Sequence, residues 1–336
     1  MHLRKVIRRS PVLKAPAFGC LRGIPSVNLT RGCLHACVYC YARAFPETPR
    51  GEVWLYGNLA ERLRTELRRL SARGRLPRAV TFSTASDLFQ PHPEVRRLAV
   101  EILKLVLSAG LRVSFLTKGY IPEETWPLFA DFSSQIRPRV GLVSISRDYH
   151  RLFEPRTAPP SVRLSQIERL SAMGLEPSVR IDPVIPGLTD REEALEALFR
   201  RLSLGGVKEV SVSYLVLRPG VIRQMARELP AGIFRAILKC YEGQPWQKVI
   251  TSATTKLAKR EIRERGYALF REVGRAYGLR VRICGCKNPD LPFEDCVPWE
   301  RGTPDENLWD LPLFSRKIYS VKYADKFSGS GISETA

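Results

Sequence analysis

Between residues 25 and 215 six strand-like runs alternate with five helix-like ones, and this alternation restricts the fold more than any other feature. Strand patterns fall at about 25–30 and at 78–84, 112–117, 140–146, 176–182 and 209–214, with helical patterns at 56–72, 93–108, 121–131, 162–173 and 190–203. In the first helix Leu59, Leu63, Leu67 and Leu70 recur on one face among arginines and glutamates, the period of a half-buried helix. Gly110 closes the second, as a left-handed C-terminal residue does. Six βα units predict an α/β fold with a mostly parallel sheet covered by helices, its polar loops gathered at the carboxyl ends of the strands. A partial barrel and a doubly wound open sheet both satisfy this periodicity.

Directly after the first strand pattern comes Gly32-Cys33-Leu34-His35-Ala36-Cys37-Val38-Tyr39-Cys40-Tyr41. Three thiolates suit soft iron, and three ligands around a four-iron cubane leave one iron free for a group that is not protein. Zinc is the competing reading, because Cys37 and Cys40 form a CxxC pair and Cys33 supplies a third ligand. A closed zinc site needs a fourth partner, and His35 inside the loop would be cramped. Redox or packing roles are the remaining alternatives. A disulfide framework fits poorly with a long chain, a local cluster and no preceding signal peptide.

The segment resembles the CxxxCxxC loop of the radical S-adenosylmethionine (radical SAM) enzymes. Its frame, Asn28-Leu29-Thr30-Arg31-Gly32-Cys33 through Cys40-Tyr41-Ala42-Arg43, is similar to the spore photoproduct lyase-like branch, whose members are commonly described as DNA repair photolyases. Thr84-Ala85-Ser86-Asp87, Gln90-Pro91-His92-Pro93-Glu94, Thr117-Lys118-Gly119, Ser144-Ile145-Ser146, Glu154-Pro155-Arg156 and the run from Asp182 to Asp190 extend the likeness over residues 25–215. The resemblance favours a partial (β/α)6 TIM-type barrel of the radical SAM kind, with a C-terminal cysteine-containing extension. It implies a [4Fe-4S] cluster on Cys33, Cys37 and Cys40 that holds S-adenosylmethionine (SAM) on its open iron. An electron from the cluster then cleaves the sulfonium and releases a 5'-deoxyadenosyl radical, with a ferredoxin or flavodoxin as the cellular electron donor. The protein's part in such chemistry is to hold and orient the cofactor. No cysteine occurs between Cys40 and Cys240, so the barrel cysteine that donates hydrogen in that branch has no counterpart in its expected region.

Polar residues collect at the expected strand ends, where capping and turn formation compete with ligand binding as roles. Tyr39 is a candidate to lie over the adenine, Ser83 and Thr84 to surround the methionine amino group, and Ser144 and Ser146 to reach the ribose hydroxyls. Arg180, or alternatively Lys118, could meet the SAM carboxylate, since a guanidinium makes two parallel bonds to it. Glu154 reads as a ribose or amine partner, or as the mate of Arg156. Pro183, Pro186 and Gly187 delay any helix, so Asp182 is expected to open a shaped loop.

A second cysteine group, Cys284-Gly285-Cys286 and Cys296, sits in Gly- and Pro-bearing sequence. A turn at Gly285 could bring both thiolates onto one metal. A second iron-sulfur cluster leads, with zinc or unliganded thiols as alternatives; Cys240 and Cys20 are the protein candidates for a fourth ligand. Around it lie Lys239, Tyr241, Trp246, Lys248, Lys256, Trp299, Arg301, Trp309 and Lys317, which suit either base stacking or the core of a small cap.

The 336 residues carry 54 Lys plus Arg against 34 Asp plus Glu, a formal charge of +20. The excess favours DNA or RNA as a partner, although an arginine-rich composition could supply part of it alone. No apolar span or signal core is apparent, so a cytoplasmic monomer without membrane association is expected. The expected division is a basic N-terminal extension (1–22), the radical SAM barrel (23–220), a C-terminal extension with an auxiliary metal site (221–326) and a disordered tail (327–336). Function then divides into radical chemistry on nucleic acid, the same chemistry on a peptide, protein or small metabolite, or a non-enzymatic metal-stabilised nucleic-acid-binding protein.

Overall fold

The computed structural model describes residues 2–16, 21, 23–249 and 254–292. Its strands are β1 (His2–Val6), β2 (Ser26–Val27), β3 (Thr30–Arg31), β4 (Glu52–Tyr56), β5 (Ala79–Phe82), β6 (Arg112–Thr117), β7 (Ile136–Gly141), β8 (Ser178–Val184), β9 (Glu209–Tyr214), β10 (Gln247–Lys248), β11 (Thr254–Thr255) and β12 (Arg280–Ile283). Its α-helices are α1 (Leu59–Ala72), α2 (Pro93–Ser108), α3 (Trp126–Asp131), α4 (Arg147–Phe153), α5 (Pro160–Ala172), α6 (Glu192–Leu204), α7 (Pro219–Glu228), α8 (Ala231–Lys239) and α9 (Arg260–Ala276). Seven strands form one sheet in the order β12-β9-β8-β7-β6-β5-β2, and every pairing in it is parallel. β2 and β12 are its two edges, as a partial barrel requires, and its parallel strands all end on one side, the mouth.

Each strand pattern read from the sequence has a strand under it, with three adjustments, the first being that the pattern at 25–30 is divided between β2 of this sheet and β3 of a separate three-stranded one. The fourth runs 136–141 rather than 140–146, so Ser144 and Ser146 lie beyond it, in the approach to α4. The fifth passes through Asp182 to Val184, and its register against β9 shifts between Ile181 and Val184. That irregularity accommodates Pro183, which has no N–H for the ladder, and the loop opens after Val184 rather than at Asp182. The seventh strand, β12, comes from the C-terminal segment and pairs with β9 through Arg280–Glu209 to Ile283–Val212.

Continuous apolar burial on both faces of the sheet follows from this architecture. Val80, Val113, Phe115, Val140, Val179, Ile181, Val210 and Val212 are buried beneath the apolar faces of the helices, including Leu63 of α1, Ile102 of α2 and Phe270 of α9. A small sheet, β1-β4-β3, flanks the barrel. Among the described residues no helix is long and apolar enough to cross a membrane.

Candidate functional site

Cys33, Cys37 and Cys40 lie in the loop that follows β2 and β3, at the mouth, and all three thiols are free. Left-handed backbone at Gly32 (φ 84) and Ala36 (φ 52) turns this short chain back on itself, a conformation a glycine adopts without penalty and an alanine only under outside constraint. The constraint is visible. Arg43 Nη1 donates to the carbonyls of Ala36 and Cys37 at 2.8 and 3.0 Å, and is itself paired with Glu228. From α7, Gln224 Nε2 donates to Val38 O at 2.6 Å and reaches the Cys37 and Cys40 carbonyls at 3.4 Å. Gln90 Oε1 accepts from Leu34 N at 2.8 Å, and Phe153 O accepts from Val38 N at 3.0 Å. α7 thus packs the chain after β9 onto the cysteine loop. At Gly220 a Cβ would stand 2.8 Å from that of Ala44.

Burial, followed by the Asp87 carboxylate and the neighbouring Cys40 and Cys37 thiols, pushes the Cys33 thiol well up. Burial pushes Cys37 up to about 12 even though Lys118 pulls the other way. Thiols held this way stay protonated until a metal supplies the compensating charge. His35 is committed elsewhere: its side chain is 4% exposed, with Nδ1 3.5 Å from Asp87 Oδ2, and burial lowers its pKa. Among the described residues no group of three or more His, Cys, Asp and Glu is placed to hold a single metal ion. Three free thiols within electrostatic reach of one another, framed by bonds to their own carbonyls, fit the donor set of a cysteine-held iron-sulfur cluster.

Beneath the loop lies a buried charge cluster. Glu154, fully buried, accepts from Lys118 Nζ at 2.7 Å and from the Tyr39 hydroxyl, and pairs with Arg163 Nη2 at 2.6 Å. Burial alone would raise the Glu154 pKa, but Arg163 and then Lys118 hold it far below the usual carboxylate range. Lys118 also donates to Tyr39 and to Asp182 O, and its stem lies against Gly141, where an added Cβ would sit 2.6 Å from Cε. Arg163, on α5, donates to Gly141 O at 2.6 Å. Asp87 ties the adjoining strand ends together, accepting from Thr117 Oγ1 at 2.7 Å and Lys118 N at 2.8 Å.

The structure brings Tyr39, Lys118 and Glu154 into one cluster, and the partners of Glu154 are Lys118 and Arg163 rather than Arg156. Ser83 (φ 66) accepts from Leu88 N at 3.1 Å. Thr84 Oγ1 accepts from Asn28 at 2.7 Å, and its carbonyl accepts from the Tyr41 hydroxyl at 2.5 Å. Ser144 accepts from Ser146 N, and Ser146 caps α4 through Tyr149 N at 3.3 Å, so both have the local capping role that competed with ribose binding. Arg180 is paired with Asp182 at 2.8 Å, and its Nη2 stands 3.7 Å from Cys284 Sγ.

Cys284 follows β12 at the same mouth, fully buried, and Cys286 is half-buried in the 3₁₀ turn Gly285–Lys287. Lys287 Nζ meets Asp182 at 2.6 Å. Burial raises the Asp182 carboxyl, but Lys287 and Arg180 outweigh it and hold the group down to about 2. Cys240 lies at the end of α8, its Sγ 3.6 Å from Ala236 O. Cys20, Cys296, Trp299, Arg301, Trp309, Lys317 and the C-terminal tail lie outside the described residues. Sequence reading passed over Arg163, Gln224 and Lys287. Only Arg163 and Gln224 carried a signal, as polar residues on otherwise apolar helix faces.

The Radical SAM superfamily model matches residues 27–199. The uncharacterized protein Rv2578c of Mycobacterium tuberculosis is 34% identical over 224 residues, 64% of this chain and 65% of that protein, so the match spans less than two thirds of the relative's length. The radical SAM Nalpha-GlyT isomerase of Pseudomonas phage M6 is 24% identical over 185 residues, 54% of this chain and 37% of its own. Among solved structures, spore photoproduct lyase with bound AdoMet and dinucleoside spore photoproduct superposes with a TM-score of 0.63 at 17% identity, covering 83% of this chain and 81% of the other. That likeness is one of fold. With the family model spanning more than half of the chain and the thiol loop at the barrel mouth, this protein belongs to the radical SAM superfamily.

Proposed function

We propose that Cys33, Cys37 and Cys40 hold a [4Fe-4S] cluster with one open iron, and that the chain uses SAM to take a hydrogen atom from a nucleic acid base or sugar. A bound cluster, reduced by a ferredoxin- or flavodoxin-type donor, would supply one electron for cleavage of the SAM sulfonium, giving methionine and, with the hydrogen taken from the substrate, 5'-deoxyadenosine. The residues' part is positional. Arg43 and Gln224 fix the carbonyls of the loop that carries the three thiols. The Glu154–Lys118–Arg163 cluster fixes Tyr39 between Cys37 and Cys40. Arg180, paired with Asp182, would meet the SAM carboxylate through its guanidinium, or alternatively Lys118 would, by exchanging one of its acceptors among Glu154, Tyr39 and Asp182 O; Ser83, Thr84, Ser144 and Ser146 are the neutral candidates beyond the strand ends. We extend the reading to a second iron-sulfur site on Cys284 and Cys286 with Cys296, beside Arg180.

The observation that carries this proposal is the free thiol triad, framed by long-range bonds at the carboxyl ends of a parallel sheet. The nucleic-acid part draws support from the charge of +20 and is the finer of the two statements. Anaerobic protein reduced in the presence of SAM should release 5'-deoxyadenosine, followed by chromatography, and Cys37→Ala should release none. Equal release from both proteins would defeat the proposal.

A further inference from the structure

Aromatic rings line the lip around the cysteine loop, and each is paired with a cation. Tyr56 and Phe45 border a cavity of about 290 Å³ together with Arg8, Arg31 and Glu47. The Arg8 guanidinium lies 5.2 Å from the Tyr56 ring. Phe45 meets Tyr41, the residue after Cys40, edge-on with centroids 5.5 Å apart, and Arg218 stands 5.1 and 5.8 Å from these two rings. Beside Arg218, Leu217 exchanges backbone bonds of 3.0 and 2.8 Å with Lys256, whose Nζ lies 5.3 Å over Trp246. Tyr41, Phe45 and Trp246 are 38, 37 and 45% exposed.

Single exposed aromatics are ordinary on protein surfaces. A series of rings interleaved with cations is the pattern that tracks a polyanion while offering faces to planar groups. We propose that this lip, from Arg8 through Tyr41 to Trp246, is a binding track for single-stranded nucleic acid that leads the strand past the thiol triad. The proposal rests on the nucleic-acid reading of the substrate and adds the strandedness and the surface. Unstacked bases can lie on the rings, whereas bases inside a duplex offer no free faces. Glu47 is the one acid among the cavity residues named, against Arg8, Arg31, Arg218 and Lys256 along the track.

The test is fluorescence anisotropy of labelled oligothymidylate and oligouridylate of about 20 nucleotides, long enough to cover such a track, titrated with the anaerobic full-length protein at several salt concentrations. Phe45→Ala and Trp246→Ala should each weaken binding about 5- to 100-fold, and Trp246→Phe should restore most of the loss. Lys256→Gln should lower the slope of log affinity against log salt by about one. Unchanged binding in both alanine variants, tighter binding of the matching duplex, or equal competition by polyglutamate would each overturn the track. SAM cleavage by the parent protein is measured in parallel. Cleavage without oligonucleotide binding defeats the track alone, and binding without cleavage defeats the catalytic reading alone.

Discussion

Two cysteine-bearing segments leave the same end of one parallel sheet, and they are built by different means. The loop after β3 holds Cys33, Cys37 and Cys40 through its own backbone, with Arg43, Gln224, Gln90 and Phe153 bonded to its amides and carbonyls. The turn after β12 adds side-chain charge to its backbone bonds: Cys284 N donates to Val212 O and Asn288 Nδ2 to Cys284 O, while Lys287 sits on Asp182 and Arg180 between Asp182 and Cys284. Backbone bonds fix a geometry whatever the thiols bind. A charge lattice depends on the state of its carboxylate, so the second segment is the more sensitive to acid.

The most severe break in this contrast removes a thiol from the first loop: Cys37→Ala should reduce 5'-deoxyadenosine formation to background. Next comes Glu154→Gln, which leaves Lys118 and Arg163 buried without their anion. It should cost about 3–5 kcal/mol in urea unfolding, and a loss below about 1 kcal/mol would show that the cluster is not a buried unit. Gln224→Ala removes the bond from α7 to the loop backbone. Iron retention or SAM cleavage should fall about 10- to 100-fold, as when an outer partner of a metal ligand is lost; parent-like values would mean that the loop frames itself.

A smaller effect separates the segments by pH. The folded Asp182 carboxyl is depressed from 3.8 to about 2, so its contribution is complete above the unfolded value and disappears as pH falls through about 2. Asp182→Asn should cost on the order of 2 kcal/mol at neutral pH and flatten the acid limb of the stability curve. An acid limb identical to that of the parent would remove Asp182 from the account of the second segment. The mildest change is Cys284→Ser, which should lower the iron content while the first site still cleaves SAM. Unchanged iron would reduce this segment to packing.

The βα rhythm made most of the sheet legible, because parallel strands buried on both faces read as short apolar runs between amphipathic helices. β7 was displaced in that reading because Arg137, Pro138 and Arg139 break the apolar pattern, while the residues beyond Gly141 continue it. β12 was missed because Arg280-Val281-Arg282-Ile283 is short and lies far from the other strands in sequence. The thiol triad was legible because its meaning is local. The partners that frame it were not, since Gln224 bonds Val38 across 186 positions, and no periodicity encodes such a contact. Glu154 reads in sequence as a ribose or amine partner or as the mate of Arg156, but Arg156 is not its partner. Arg163 is, because α5 turns it inward toward Glu154.

The most direct test is metal analysis with electron paramagnetic resonance on anaerobic protein in which Cys284, Cys286 and Cys296 are all serine. About four irons per chain, with a reduced-cluster signal that shifts when SAM is added, is the expected result. Zinc in place of iron, or an iron signal indifferent to SAM, would contradict an open iron on Cys33, Cys37 and Cys40.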